Sequence, residues 1–413
     1  MKFSLYRLKF CKQRTVPYND FMRRNTILFG FTSFFADIAG EMLIPLLPGF
    51  LKNTLGLSTL LIGVIEGAAD SISSFMKIVS GQVSDYFKRR KIFVMLGYFI
   101  AALGKPLLAV ANSFGVAIGA RLLDRTGKGV REAPRDALLA GDTGTGERGA
   151  AFGFLKSLDT LGAIVGNLLA FLFVYLAFNV REIFWIAFIP GLIAVAVVSF
   201  VKEKDVPEQI AKVKIKDVFN YKQWRGMFQP KFWKFILVIG IFSLARVGTA
   251  FLLLRAGAII GVNNALIPVL YLLYNIVFAM SAWPVGKLAD RFSKRRFIYW
   301  GMIIFALMCF GFIFASTVFE VAVLFVMYGL FSAFTEGNSR AFVSNVTGDS
   351  HRATALGILH ATEGLLLLPG GVIAGALWFF GDGIGTFVYS SILTMVAAIL
   401  FFILFFERRR QNI

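Results

Sequence analysis

The sequence predicts an all-α polytopic membrane protein of twelve transmembrane helices, arranged as two pseudo-symmetric six-helix bundles. Three observations predict it: apolar runs recur along the whole chain, basic residues keep to alternate turns, and the first half of the sequence repeats in the second. With 57% hydrophobic residues and a mean hydropathy of +0.72, the 413 residues are too apolar for a soluble globular protein. A β-barrel would instead show alternating strands of about ten residues.

The runs, each long enough to cross a hydrocarbon core of about 30 Å, place candidate helices near 27–51, 58–84, 92–111, 114–140, 149–176, 183–201, 232–256, 264–285, 297–315, 319–345, 353–380 and 384–406. The first run is too long for a cleavable signal and follows a basic segment, so it is read as a span. Lys and Arg crowd the N-terminus, the 88–91 run, the 202–234 stretch, the 287–296 turn and the tail Arg408–Arg410. The intervening turns carry little beyond Lys52 and Arg181. This asymmetry predicts cytoplasmic termini, in a bacterial inner membrane. The predicted division is a cytoplasmic segment 1–26, a first bundle 27–201, a cytoplasmic linker 202–231, a second bundle 232–406 and a tail 407–413. The charges of the linker, with Trp224 and Phe228, suit either a helix lying along the interface or a flexible connection.

The repeat supports that division. "GQVSDYFKRRK" (81–91) recurs as "GKLADRFSKRR" (286–296), and "ERGAAFGFLKSLDTLG" (147–162) as "HRATALGILHATEGLL" (351–366), at shifts of 205 and 204. Arg148 then matches Arg352, Gly153 Gly357, Lys156 His360 and Asp159 Glu363. Two similar halves can enclose a cavity that opens to either side in turn.

The loop after the second span, G-x-x-x-D-x-x-x-[KR]-[RK], repeated after the eighth, resembles the signature loop of the major facilitator superfamily, and the resemblance spans the whole chain. It implies a secondary transporter with a latch closing the cytoplasmic side. The latch residues are Gly81, Asp85, Arg89 and Arg135 in one half and Gly286, Asp290 and Arg340 in the other. Gly81 and Gly286 allow close helix approach, and Asp85 and Asp290 can cap a helix and meet an Arg.

The stretch "RLLDRTGKGVREAPRDALLAGD" (121–142) carries nine charges. Placed on a helix, they fall within an arc of about 140°, opposite Leu122, Leu123, Thr126, Val130, Ala133 and Ala137. It is therefore read as a membrane helix with one charged face lining an aqueous cavity. "RLLDRTG" also resembles the superfamily's fourth-helix motif, with Asp124 where Gln is usual and Arg125 where Gly is usual. The fifth-helix antiporter motif is weaker here, because Asn167 stands in place of its Pro.

Other charges sit inside spans, where ionisable groups are costly and mark function. Asp37 and Glu41, Glu66 and Asp70, and His360 and Glu363 are read as proton-coupling groups. Arg121, Asp124, Arg125, Lys128, Lys156, Asp159 and Arg246 are read as solute-binding. Lys156/Asp159 and Glu336/Arg340 can also simply neutralise each other, and Lys105 on the third span has no evident partner. The expected function is alternating-access, proton-coupled transport of a polar anionic or zwitterionic organic solute, such as a metabolite, carboxylate siderophore or sugar phosphate. A multidrug or toxin exporter of the same fold is the alternative. "TGKG" (126–129) lacks the spacing of a phosphate loop, and Cys11 and Cys309 are isolated, so no enzyme, metal site or cofactor is expected. The net charge of +19 follows membrane topology, so the expected partners are solute, protons and lipid, with no nucleic acid, for a monomeric protein.

Overall fold

The computed structural model describes residues 24–87, 89–142, 148–203, 228–261, 265–347 and 352–406, with the backbone alone at 82, 85, 86, 148–150 and 352–354. Their regular structure is entirely helical. The helices are α1 (Arg24–Glu41), α2 (Thr59–Phe87), α3 (Arg90–Ala109), α4 (Phe114–Asp142), α5 (Arg148–Tyr175), α6 (Val180–Ser199), α7 (Pro230–Ala245), α8 (Leu266–Arg291), α9 (Lys294–Phe314), α10 (Val318–Thr347), α11 (Arg352–Leu377) and α12 (Ile384–Phe405). Ten spans among the described residues are long and apolar enough to cross a membrane, α7 being counted there with its continuation. The charged face of α4 keeps that helix out of the set.

The spans predicted as the first and seventh are both interrupted. After Glu41 the chain passes through turns to Leu47–Gly49 and a π-helical Phe50–Thr54. Pro45 has no N–H to offer the Glu41 carbonyl four residues back, so the ladder stops there. After α7, Arg246 turns extended (φ −72°, ψ 109°) and Gly248 (φ −66°, ψ 154°) caps a continuation, Thr249–Ile260. Apolar content alone does not register either break. The linker lies largely outside the described residues, Trp224 included. Phe228 is buried, with its ring 4.5 Å from that of Phe232.

Packing repeats between the halves. α1 lies on α5 and α6, α3 on α4 and α6, and α2 on α4; α7 lies on α11 and α12, α9 on α10 and α12, and α8 on α10. A shift of six helices carries each of these contacts onto its counterpart. The halves meet mainly through α2 with α11 and α5 with α8, pairs that the same shift exchanges.

The α2–α11 seam is built from small residues. A Cβ on Gly371 would fall 2.7 Å from the Gly63 carbonyl oxygen, and one on Gly67 2.7 Å from Leu368 Cα. The Thr59 and Ser71 hydroxyls donate across the seam to the carbonyls of Gly375 (3.1 Å) and Gly364 (2.7 Å). This is the close-approach geometry that membrane helices use where lipid leaves no hydrophobic drive between them. The seam occupies the end of the bundle away from the basic turns, where Leu47–Gly49 also meets the α7 continuation. Towards the basic turns the halves enclose a cavity.

Gly371→Leu is expected to hold the seam apart. An Asn53→Cys reporter at that end should then react several-fold faster with a membrane-impermeant maleimide than in the Gly371 parent. Equal labelling rates at equal thermal stability would count against the seam as the closure of that end.

Candidate functional site

Glycines let α4 settle deeply against α2 and α3. A Cβ on Gly97 would fall 2.7 Å from the Gly127 carbonyl oxygen, one on Gly104 3.0 Å from that of Ala120, and one on Gly129 2.7 Å from Met76 Cβ. With the backbones this close, the charges of α4 reach partners on both neighbours. Arg121 donates from Nε and Nη2 to the two carboxylate oxygens of Glu66, each at 2.9 Å, and lies 3.4 Å from Asp124. The other Asp124 oxygen accepts from Lys105 Nζ at 2.6 Å, which also donates to the Ala101 carbonyl at 2.8 Å. Arg125 lies 3.7 Å from Asp70. Lys105 and Arg121 are each only 4% exposed. Three cations and three anions thus neutralise one another within α2, α3 and α4, and Lys105 has its partner.

The later part of the α4 face borders the cavity. This space of about 790 Å³ is lined by α1, α2, α4 and α5 on one side and by α8, α10 and Lys294 at the start of α9 on the other. Of the residues predicted for the site, it brings together Asp37, Glu41, Lys128, Arg135, Lys156, Asp159, Gly286, Asp290 and Arg340. It does not include Arg121, Asp124, Arg125, Glu66, Asp70, Arg246, His360 or Glu363. It adds Lys77, Arg131, Glu132, Asp136, Asn275, Glu336 and Asn338. Arg131, Glu132 and Asp136 were legible as members of the α4 charged face. Lys77 is the one basic residue of α2, and the two asparagines carry no charge to mark them.

Several cavity charges are paired: Lys77 with Glu132 at 2.6 Å, Arg135 with Asp136 at 3.1 Å, and Asp290 with Lys294. Arg135 also donates to the Ser33 hydroxyl at 3.1 Å, and Arg131 lies over the Tyr98 ring at 4.2 Å. Lys156 and Asp159 are 3.9 Å apart, and their repeat counterparts His360 and Glu363 3.5 Å. Lys128 makes no ion pair among the described residues and interacts through space with Asp37, Glu132 and Lys77. Of the latch residues, Gly81 packs near Ala133, Gly286 faces open space, Arg89 is exposed, and the Asp85 side chain lies outside the described residues.

α1 and α5 approach through Gly162 and Gly166, where an added Cβ would lie 3.1 Å from Asp37 Cβ and 3.1 Å from Glu41 Cβ respectively. This brings both carboxyls to the α5 surface that carries Asp159, whose charge acts on Asp37. Glu41 Oε2 and Asn167 Oδ1 are buried without hydrogen-bond partners. In the other half, Tyr274 stacks on Tyr271 and Tyr328, with ring centroids 5.4 and 4.4 Å apart.

Comparison with known proteins agrees with this architecture. The family model described as Major Facilitator Superfamily matches residues 29–256 and 241–413. An uncharacterized MFS-type transporter of Methanocaldococcus jannaschii is 35% identical over 389 residues, covering 92% of this chain and 94% of that protein. A probable 4-methylmuconolactone transporter of Cupriavidus pinatubonensis is 30% identical over 206 residues, or 48% of this chain and 46% of that protein. Among solved structures, a variant of the nucleoside transporter NupG superimposes with a TM-score of 0.80 over 92% of this chain and all of that one, at 15% identity.

Breaking a buried pair while leaving one charge behind costs about 3–5 kcal/mol. Lys105→Met should therefore lower the melting temperature markedly, and Lys105→Met with Asp124→Asn should recover part of the loss. Strict additivity of the two changes in thermal melts would refute the coupling.

Proposed function

The chain belongs to the Major Facilitator Superfamily and is an integral membrane transporter; from that premise we propose that it is an alternating-access, proton-coupled carrier of a polar anionic or zwitterionic organic solute. The observation that carries this reading is the cavity between the halves, whose lining holds seven acidic and seven basic side chains. A lipophilic drug would desolvate that lining and leave its unpaired charges unmet, which is expensive, so the ionic lining favours a charged solute over the multidrug reading. The relative named for 4-methylmuconolactone supports a small organic solute.

The basic turns Arg89–Lys91 and Lys294–Arg296 stand at the open end of the cavity, which supports an inward-open form with that end cytoplasmic, in a bacterial inner membrane. Access then alternates by opening the α2–α11 seam and closing the basic end. There Asp85 and Asp290, with Gly81, Arg89, Arg135, Gly286 and Arg340, form the latch.

Lys128 borders the cavity without an ion pair and is suited to draw an anionic group into it. Lys156, Asp159 and Arg340 stand on the same cavity walls. Asp37 carries the proton, with Glu41 and Asp159 as the carboxyls nearest it in charge. A carboxyl among other carboxyls and the unpaired cations Lys128 and Arg131 changes protonation readily as its surroundings rearrange. Arg121, Asp124 and Arg125, tied to Glu66, Lys105 and Asp70, hold α2, α3 and α4 as one block that rocks as a unit. His360 and Glu363 offer a second proton-binding pair in the repeated position.

Asp37→Asn should abolish proton-driven uptake into proteoliposomes while leaving solute counterflow and the melting temperature near those of the parent. Lys128→Gln should weaken apparent solute affinity about tenfold, the size expected for a lost charge-assisted contact. Proton-driven uptake at the parental rate by Asp37→Asn would sink the coupling assignment.

A further inference from the structure

The two helix breaks stand at equivalent places in the repeat. The shift of 205 that superimposes the signature loops carries Glu41 onto Arg246. Each residue closes the first part of an interrupted span, and each lies about 25 Å along its helix at 1.5 Å per residue. Paired discontinuous helices in corresponding positions of two halves mark a solute site near the centre of a carrier.

The chemistry at the two breaks is opposite. Glu41 is an acid with a buried, unpartnered oxygen and no ion pair among the described residues. It borders the cavity, with the charges of Lys128 and Arg125 and the hydrogen-bonding groups of Tyr271 and Asn167 acting on it. Arg246 is half-buried and makes no hydrogen bond or ion pair among the described residues. The charges acting on it are those of Tyr328, Glu363, Glu336 and Asp70, of which Glu336 lines the cavity. Groups of the opposite half also act on each: Tyr271 of α8 on Glu41, and the charge of Asp70 of α2 on Arg246. The backbone adds the same polarity. The Glu41 carbonyl, freed by Pro45, stands at the negative end of α1, while the α7 continuation begins with its positive end just beyond Arg246.

An unpaired charge held away from water is costly, and two of opposite sign are relieved together by one dipolar ligand. We propose that Glu41 and Arg246 are the two poles of the solute site, and that the transported solute is a zwitterion whose ammonium group meets Glu41 and whose carboxylate meets Arg246. This rests on the carrier reading above and narrows its solute class; Asp37 remains the proton group. A carboxylate binding alone would leave Glu41 unmet, and an amine alone would leave Arg246 unmet. Recognition therefore depends on both charges and on the distance between them.

The test uses the purified full-length protein and matched sets of probes. These are amino acids from glycine to 6-aminohexanoate together with phenylalanine, the carboxylic acids lacking the amine, and the amines lacking the carboxylate. Thermal melts and calorimetry should find a zwitterion bound at least tenfold more tightly than either of its single-charge analogues. Glu41→Gln should reduce that affinity to the level of the matched acid, and Arg246→Gln to that of the matched amine. Should both variants fail to fold, the wild-type comparison of the three classes decides alone. Equal binding of a zwitterion and its matched acid overturns the proposal, as does the absence of binding across the whole zwitterion series. Proton-driven uptake of a single-charge acid would then leave the carrier reading standing. No proton-driven uptake of any member of the three classes would count against both.

Discussion

A charge removed from water must meet its opposite, and α4 is where this protein faces that requirement most severely. Nine charged residues lie between Arg121 and Asp142 on a helix packed among apolar neighbours. The first three find partners on α2 and α3 through Glu66, Asp70 and Lys105. That is possible only because glycines on α3 and α4 bring the backbones together. Pairing and close packing are one constraint: longer side chains at Gly97, Gly104 or Gly127 would pull the ions apart. The next five, Lys128 to Asp136, border the cavity, where solvent or solute can meet them. Geometry, not residue type, therefore separates scaffold from site along one helix face.

That separation explains what could and could not be read in advance. Approximate span positions and the charged face of α4 follow from local periodicity, and apart from the interrupted first and seventh spans the helices lie close to the apolar runs. The breaks at Pro45 and Gly248 were hidden because an apolar run continues across them. Pairings were hidden for another reason. Glu66 and Arg121 are 55 residues apart, and nothing local distinguishes an Arg that will find a carboxylate from one that will not. Lys105 is the clearest case, since its partner lies on the next helix and becomes visible only when α3 and α4 are packed. Among the cavity residues, Asp37, Glu41 and Lys128 were legible as charges in spans, whereas Asn275 and Asn338 were not.

The repeat preserves packing more faithfully than chemistry. A shift of 205 carries Glu66 onto Tyr271, and a shift of 204 carries Asp124 onto Tyr328. Where the first half has an ion network, the second has stacked tyrosines. The Tyr328 hydroxyl lies 3.0 Å from that of Thr249, the first residue after the break in the seventh span. One half is thus cemented by charge and the other by ring packing, although the helices adopt equivalent contacts. Such asymmetry suits a carrier whose two cavity walls must offer a solute different things.

The ion network also bears on how the chain enters a membrane at all. A central Asp, Lys or Arg costs about 2.5–3.5 kcal/mol on insertion, so α4 alone would be rejected by a lipid phase. Its neutralising partners Glu66, Asp70 and Lys105 all precede it in the chain. By the time α4 is synthesised, α2 and α3 already present the counter-charges and the glycine-lined bed it needs. The helix is therefore admitted as the third member of a group rather than on its own hydropathy, and the order of synthesis becomes part of what makes this topology attainable.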